Sequence, residues 1–160
     1  MNSLLKKEPV QRAAKSLREF DSNLKIMRLE KTARTASDAA TALSCKVGAI
    51  VKSLLFKTSQ SFVLCLVSGD KRCSLSKLKK ILNEKNISMA NPEEVKKITG
   101  YTIGGVSPIG HLENIKIYID FNLERFPSVF AAAGHPNCVF KIEYKKLIKL
   151  TDGKIKDLTE

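Results

Sequence analysis

Apolar positions recur along the chain at two spacings, which predict helices in some segments and strands in others. Val10, Ala13, Leu17 and Phe20 lie at helical intervals after Pro9, so an amphipathic helix is expected near the start. The same spacing, with residues suited to helix caps, predicts further helices that begin after Thr35, Ser74 and Asn91 and at Tyr144.

Continuous or alternating apolar runs rich in β-branched residues predict the strands 24–29, 47–56, 61–67, 115–119, 128–132 and 138–142. Residues 57–60 lie between two such runs and predict a hairpin loop. No internal repeat or low-complexity linker divides the chain. We therefore expect a single α/β domain over residues 1–160, with helices around one mixed, largely antiparallel sheet.

Length and composition are those of a domain with a real core, since the 160 residues are 43% hydrophobic. Four cysteines without C-x-x-C spacing and two histidines indicate neither a zinc site nor a disulfide framework. No stretch approaches the roughly 18 apolar residues of a membrane span. These features predict a cytoplasmic protein with reduced thiols, no metal and no membrane partner.

The formal net charge of +12 favours a nucleic-acid partner, because basic side chains neutralise phosphates regardless of base sequence. The alternative is a compositional bias, since 22 of the 28 basic residues are lysines spread over the whole chain. A local cluster best fits phosphate contact. Its members are Lys71, Arg72, Lys77, Lys79, Lys80 and Lys85.

Lys52 is the only charged residue in the apolar run 47–56. With a two-residue period it shares a strand face with Ile50, Leu54 and Phe56. An unpaired buried ammonium is costly, so this lysine extends to solvent from an edge strand, pairs with an anion, or lies in a pocket. The pattern leaves these three interpretations open.

Glycines and a proline interrupt the chain in "TGYTIGGVSPIGH", residues 99–111. Glycine serves where a chain adopts positive φ or where another group approaches its amides, and proline fixes its own φ. Gly104 to Pro108 therefore forms either an ordinary turn or a loop that presents backbone N–H groups to a ligand.

Four segments together resemble a known family. "VGAIVKSLLF" (47–56), "VLCLVSGDKR" (63–72), the glycine segment (99–111) and "AAAGHPNCVFKIEYKKLIKLT" (131–151) are similar, in order and spacing, to the bacterial YbaK/prolyl-tRNA-synthetase-associated family of aminoacyl-tRNA editing domains. The resemblance covers roughly residues 35–151, which makes it far more specific than a lone motif. The family's strand lysine corresponds to Lys52 and its G-x-x-x-P loop to Gly104 through Pro108.

The resemblance implies the family's fold and hydrolysis of the ester that joins a wrong amino acid to tRNA, most typically a small residue on proline tRNA. Such a step is needed because an apolar pocket separates side chains differing by one methylene by only about 1–3 kcal/mol. The loop amides would polarise the ester carbonyl and stabilise the oxyanion, while Lys52 would hold a phosphate or hydroxyl of the terminal adenosine. The catalytic residues implied are Lys52, Gly104, Gly105, Val106, Ser107 and Pro108.

The resemblance also implies substrate contacts. They fall on Thr35, Tyr101, Ile103, Ile109, His111, Gly134 and His135. Val106 and Phe140 are further pocket residues on this interpretation, although the apolar members of the set are equally readable as core. His111 and His135 are open to two roles, catalytic base or structural cap. Alanyl, cysteinyl and other mischarged tRNAs stay open as substrates.

The sequence carries no recognisable nucleophile, since the cysteines lack a histidine at signature spacing and Ser107 lies outside a G-x-S-x-G pattern. Positioned water, helped by the substrate's own hydroxyl, would suffice for an activated ester, and no cofactor is implied. The partner implied is the acceptor end of a mischarged tRNA, met in trans through the basic surface or by recruitment to a synthetase. Two other classes remain open at this point, a non-catalytic RNA-binding module and a regulatory protein that binds a small ligand.

Overall fold

Five α-helices and eight short strands make up the computed structural model, which describes residues 3–31 and 33–160. The helices are α1 (Glu8–Phe20), α2 (Ala36–Leu43), α3 (Leu75–Leu82), α4 (Pro92–Thr99) and α5 (Tyr144–Thr151). The strands are β1 (Ile26–Arg28), β2 (Val51–Lys57), β3 (Phe62–Ser68), β4 (Ser88–Met89), β5 (Lys116–Asp120), β6 (Ser128–His135), β7 (Cys138–Glu143) and β8 (Lys154–Lys156). Short 3-10 turns occur at Leu4–Lys6, Val47–Ala49 and Phe121–Arg125.

Three of the helices, α2, α3 and α4, begin after the polar residues that the sequence indicates. The side chain of Thr35 accepts a hydrogen bond from the backbone N–H three residues later at 3.0 Å, and Ser74 does the same at 3.2 Å. Asn91 and Glu94 form a reciprocal capping box. Gly100 ends α4 in a left-handed conformation with φ +79°. Local side-chain chemistry therefore sets these helix boundaries.

The strands form two sheets, which corrects the expectation of one. The smaller sheet is antiparallel in the order β1-β7-β6, and the larger is mixed in the order β4-β2-β3-β5-β8. A single bridge between Ile50 and Phe130 connects them. Hydrophobic patterns show which residues alternate along a strand but not which strands pair, so the division was not readable from the sequence. The single α/β domain with a mixed sheet is as predicted.

The two faces of the larger sheet contribute to two clusters of buried side chains. Val51 and Leu55 of β2 join the main core, which also includes residues of α1, β6, β7 and α5. Phe56 and the half-buried Leu54 face α3, where Leu78 is fully buried. A third cluster surrounds α2. In the described part of the chain, no helix has the length and apolar character that a membrane crossing requires.

Strand β2 is only partly covered along the side opposite β3. It pairs with β3 along its whole length, whereas β4 reaches only Phe56 and Lys57. The β4 side of residues 51–55 therefore faces α2, β6 and the loop after α4 rather than another long strand. This partly open edge positions the site described next.

Candidate active site

A cavity of about 320 Å³ opens against the partly open edge of β2. Its other walls are the start of α2, the centre of β6 and the loop 102–108, which we call the glycine loop. Met89 and Ile103 lie at the cavity with side chains 58% and 60% exposed, so it is also accessible to solvent. The volume suits a small organic group rather than a large ligand.

Lys52 lies in the wall formed by β2. Its ammonium donates a hydrogen bond to the carbonyl of Lys71 at 2.5 Å. Burial lowers the pKa of Lys52, while the negative charge of nearby Asp70 acts in the opposite direction. Of the three interpretations open from sequence, the structure matches the pocket: Lys52 borders the cavity, and its ammonium is directed to a neutral backbone carbonyl rather than to an anion.

The turn that carries the Lys71 carbonyl is held by an ion pair. Arg125 donates to both carboxylate oxygens of Asp70, at 2.7 and 3.1 Å, and also to the hydroxyl of Ser68 at 2.9 Å. The arginine holds the pKa of Asp70 below its usual range. A bidentate pair of this kind restricts geometry as well as supplying energy. It therefore restrains the turn that receives the Lys52 ammonium.

The glycine loop forms the facing wall through Ile103, Gly104 and Val106. Gly104 has φ +90°, a conformation that side chains other than glycine rarely adopt. A Cβ on Gly105 would lie 2.9 Å from both the backbone N and the Cα of His135. Glycine is thus required at one position by conformation and at the next by the close approach of β6.

Not every loop amide is available to a ligand. The Gly105 N–H donates to the carbonyl of Thr102 at 2.9 Å, and the Gly105 carbonyl accepts from Gly134 at 3.0 Å. Ser107 and Pro108 are buried and lie outside the cavity lining. Of the expected donors at residues 104–108, the amides that remain for a role at the cavity belong to Gly104 and Val106, both of which line it.

The cavity brings together some of the substrate-contact residues expected from sequence. Thr35 and Ile103 line it, although the Thr35 hydroxyl also caps α2. Tyr101 and Phe140 are fully buried, and Ile109 is nearly so; none of the three lines the cavity.

Tyr101 is held within the core. Its hydroxyl donates to the Ile109 carbonyl at 2.8 Å, and the guanidinium of Arg12 lies 4.6 Å from the centre of its ring. Burial raises the pKa of Tyr101 to about 12. For Tyr101, Ile109 and Phe140, the structure therefore matches the alternative that they are core.

The two histidines and Gly134 also lie outside the cavity lining. The Nε2 of His111 hydrogen-bonds to the Ser107 carbonyl at 2.7 Å, behind the glycine loop. The Nδ1 of His135 accepts from the backbone N–H of Asn137 at 3.0 Å. Gly134, with φ +94°, is pressed against the backbone of α1. Both imidazoles thus make structural contacts, and each supports an element that borders the cavity.

The basic cluster lies before, on and after α3, and its first member, Lys71, carries the carbonyl that receives Lys52. Lys77 already has partners within the protein, since its ammonium donates hydrogen bonds to the Asp157 carboxylate at 3.0 Å and to the Thr159 carbonyl at 2.6 Å. Arg72, Lys80 and Lys85 are exposed, while Lys71 and Lys79 are partly covered. The cluster offers a positive surface that begins at the turn receiving Lys52, and the ion-paired Lys77 contributes least to it.

Ser53 is a cavity residue that the sequence reasoning missed. It lies between Lys52 and Leu54 and shares a strand face with Val51 and Leu55, both buried. A hydroxyl on an otherwise apolar face was the available signal.

Comparison with known proteins places this arrangement in a family. Residues 30–150 match the family model described as "Aminoacyl-tRNA editing domain". The protein YwhH of Bacillus subtilis is 30% identical over 131 residues, which are 81% of this chain and 83% of YwhH. The proline–tRNA ligase of Kosmotoga olearia is 37% identical over 91 residues, or 57% of this chain, but this match spans only 16% of the ligase.

A solved structure extends the similarity to the whole fold. It is a candidate trans-editing enzyme for prolyl tRNA synthetase, 37% identical, with a TM-score of 0.92 over 96% of this chain and 98% of that one. The family model covers both Lys52 in β2 and the glycine loop, the two walls that meet at the cavity. The protein belongs to the aminoacyl-tRNA editing domain family.

Proposed function

We propose that the protein is a trans-acting deacylase that hydrolyses the ester of a mischarged tRNA, with a small amino acid on proline tRNA as the typical substrate. The observation that carries the proposal is one cavity in which the Lys52 strand faces the glycine loop. Family membership supports the substrate class. Action in trans is supported by the similarity to the candidate trans-editing enzyme, because the match covers 98% of that enzyme's chain.

The ester lies with its carbonyl toward the glycine loop. Water adds to the carbonyl carbon, the carbonyl oxygen becomes an oxyanion, and the N–H groups of Gly104 and Val106 stabilise that charge. Removing one such donor typically costs about 10²–10³ in rate. The tetrahedral intermediate then collapses, the bond to the ribose oxygen breaks, and the proton released by the attacking water passes to that oxygen.

The attacking water has no side-chain base in this proposal. Among the described residues that line the cavity there is no imidazole, carboxylate or thiol. A neighbouring hydroxyl of the terminal ribose orients the water, and correct positioning of an activated ester supplies much of the acceleration. Lys52 orients the same adenosine by contact with its phosphate or hydroxyl.

The positive surface near α3 receives the acceptor stem. Lys79 and Lys80 lie on α3 and are not held by an ion pair among the described residues, unlike Lys77. Phosphate contacts of this kind contribute to binding of substrate and transition state alike, so they act on KM rather than on saturated turnover.

Single-turnover incubation with a panel of aminoacylated tRNAs tests the proposal. We expect loss of the amino acid from mischarged proline tRNA and little loss from correctly charged tRNA. Salt-dependent binding of tRNA without turnover would instead identify an RNA-binding module. Absence of both binding and hydrolysis would overturn any role on tRNA and point to a regulatory protein that binds a small ligand.

A further inference from the structure

The hydroxyl of Ser53 is buried in the cavity wall without a protein partner. Its Oγ has essentially no exposed surface and makes no hydrogen bond within residues 3–31 and 33–160. Buried hydroxyls are normally paired, and an unpaired one costs about 1–3 kcal/mol. Such an atom in the wall of a ligand-sized cavity indicates a partner supplied by the ligand.

The neighbouring polar side chains of the cavity are already used or lie at its mouth. The Thr35 hydroxyl accepts from the Asp38 amide, and the Lys52 ammonium donates to the Lys71 carbonyl. Arg34 is exposed. Around Ser53 the wall is apolar, formed by residues such as Val51, Leu55 and Ala131. Ser53 therefore carries an unpartnered hydroxyl in an otherwise apolar part of the cavity wall.

The backbone of Ser53 faces the same side. The carbonyl of Leu55 accepts from the Ala90 amide at 3.0 Å, on the β4 side of β2. In an antiparallel ladder, residues two apart direct their backbone groups the same way, so the N–H and C=O of Ser53 also point to this edge. The paired part of β4 ends at Met89, opposite Phe56, and thus does not reach Ser53. Ser53 therefore places a backbone donor and a backbone acceptor at the cavity edge, beside its own unpartnered hydroxyl.

We propose that the Ser53 hydroxyl hydrogen-bonds to a hydroxyl or thiol on the side chain of the bound aminoacyl group and thereby selects small polar side chains over alanine. The inference rests on the proposed deacylase function and deepens it. A neutral group fits better than the α-ammonium, because a charge buried here would need a counterion. Among the described lining residues there is no carboxylate, and Lys52 and Arg34 are cationic.

The test compares serine and alanine on one tRNA body. Seryl and alanyl esters of the same proline tRNA are hydrolysed by wild type and by Ser53→Ala, and kcat/KM is measured for each. We expect the seryl-to-alanyl ratio to fall about fivefold to tenfold in the variant, the size of one hydrogen bond. Ser59→Ala, in the exposed hairpin loop, is the matched control and leaves the ratio unchanged.

A second readout separates this inference from the proposed function. Calorimetric binding of non-hydrolysable seryl and alanyl amides of 3′-amino-adenosine measures the same preference without chemistry, and thermal unfolding checks that each variant is folded. Equal losses on both esters in Ser53→Ala, with equal losses in binding, would overturn the inference and leave deacylation intact. A wild type that hydrolyses neither ester, yet binds the seryl amide more tightly in a Ser53-dependent way, would overturn the proposed function instead.

Discussion

The two facing walls of the cavity are held in place in opposite ways. Strand β2 is aligned by its pairing with β3 over its whole length, and its side chains point alternately to two faces. The glycine loop packs directly against the backbone of His135, which is possible only because Gly105 has no Cβ. One wall is built from backbone pairing and the other from close approach.

Because of this difference, substitutions in the two walls should affect stability and activity differently. On β2 a functional side chain can be removed while the ladder keeps its register, so Lys52 and Ser53 can be tested without disturbing the fold. At Gly105 of the glycine loop even a methyl group displaces the backbone that carries the amides. Substitutions in the loop should therefore affect stability and activity together, and substitutions in β2 should affect activity alone.

Gly105→Ala should produce the largest combined effect. The new Cβ would meet backbone atoms at 2.9 Å, which cannot turn away as a flexible side chain can. Overpacking of this kind costs about 1–3 kcal/mol, and the shifted loop would misplace its oxyanion donors, lowering deacylation by about a hundredfold or more. Thermal unfolding and single-turnover hydrolysis measure the two losses. A variant with normal stability and activity would show that close approach does not hold this wall.

Lys52→Ala should lose most deacylation, by about a hundredfold, with unchanged or slightly higher stability. Burial lowers the pKa of this lysine, so its charge is a burden to the folded state that alanine removes. Single-turnover rates and melting temperatures are recorded together. A fully active alanine variant would leave Lys52 as a structural edge residue and would break the assignment of function to the strand wall.

Lys52→Arg sharpens the same test. A guanidinium keeps the charge but is planar and larger than the ammonium that donates to the Lys71 carbonyl. We expect little rescue of activity. Recovery of full activity would mean that charge alone, rather than a compact point contact, is what the site requires.

The sequence allowed the two walls to be identified, but not the cavity between them. Lys52 stood out as a charge in an apolar run, and the glycines stood out by composition, so both were recognisable from local features. Tyr101, Ile109 and Phe140 were not assignable in the same way, because apolar residues look alike in a core and in a pocket.

Features that depend on long-range pairing were also beyond the local pattern. β4 has two residues and β8 has three, lengths at which no period can be recognised. The separation into two sheets depends on partner choice, with Ile50 and Phe130 making the only bridge between them in the described chain. The roles of His111 and His135 likewise depended on which carbonyl or amide the fold brought to them.

Gly104→Ala should have a smaller effect than Gly105→Ala, although the two glycines are adjacent. A Cβ at Gly104 would meet only the side chain of Pro136, at 3.3 Å, so the main cost is the positive φ. That cost is about 1–2 kcal/mol, and we expect about a tenfold loss of deacylation while the fold persists. Activity equal to wild type would reduce this loop to an ordinary turn, and a loss as large as that of Gly105→Ala would erase the distinction between the two positions.

The smallest expected effect is a dependence of stability on pH, caused by protonation of His111 behind the glycine loop. Burial lowers the pKa of this imidazole, and the positive charge of Arg12 lowers it further, against the hydrogen bond to Ser107. In the unfolded chain the pKa returns to about 6.5, so below that pH the unfolded state binds the proton more readily than the folded state. The contribution of His111 to stability is therefore full above pH 6.5 and declines as the pH falls towards the lower pKa of the folded state.

We expect a melting temperature a few degrees lower at pH 5.5 than at pH 7.5, and a smaller difference in His111→Gln. His135→Gln is the matched control, because that imidazole is less deeply buried and should leave most of the dependence in place. An unchanged pH dependence in His111→Gln would show that protonation behind the loop does not loosen this wall.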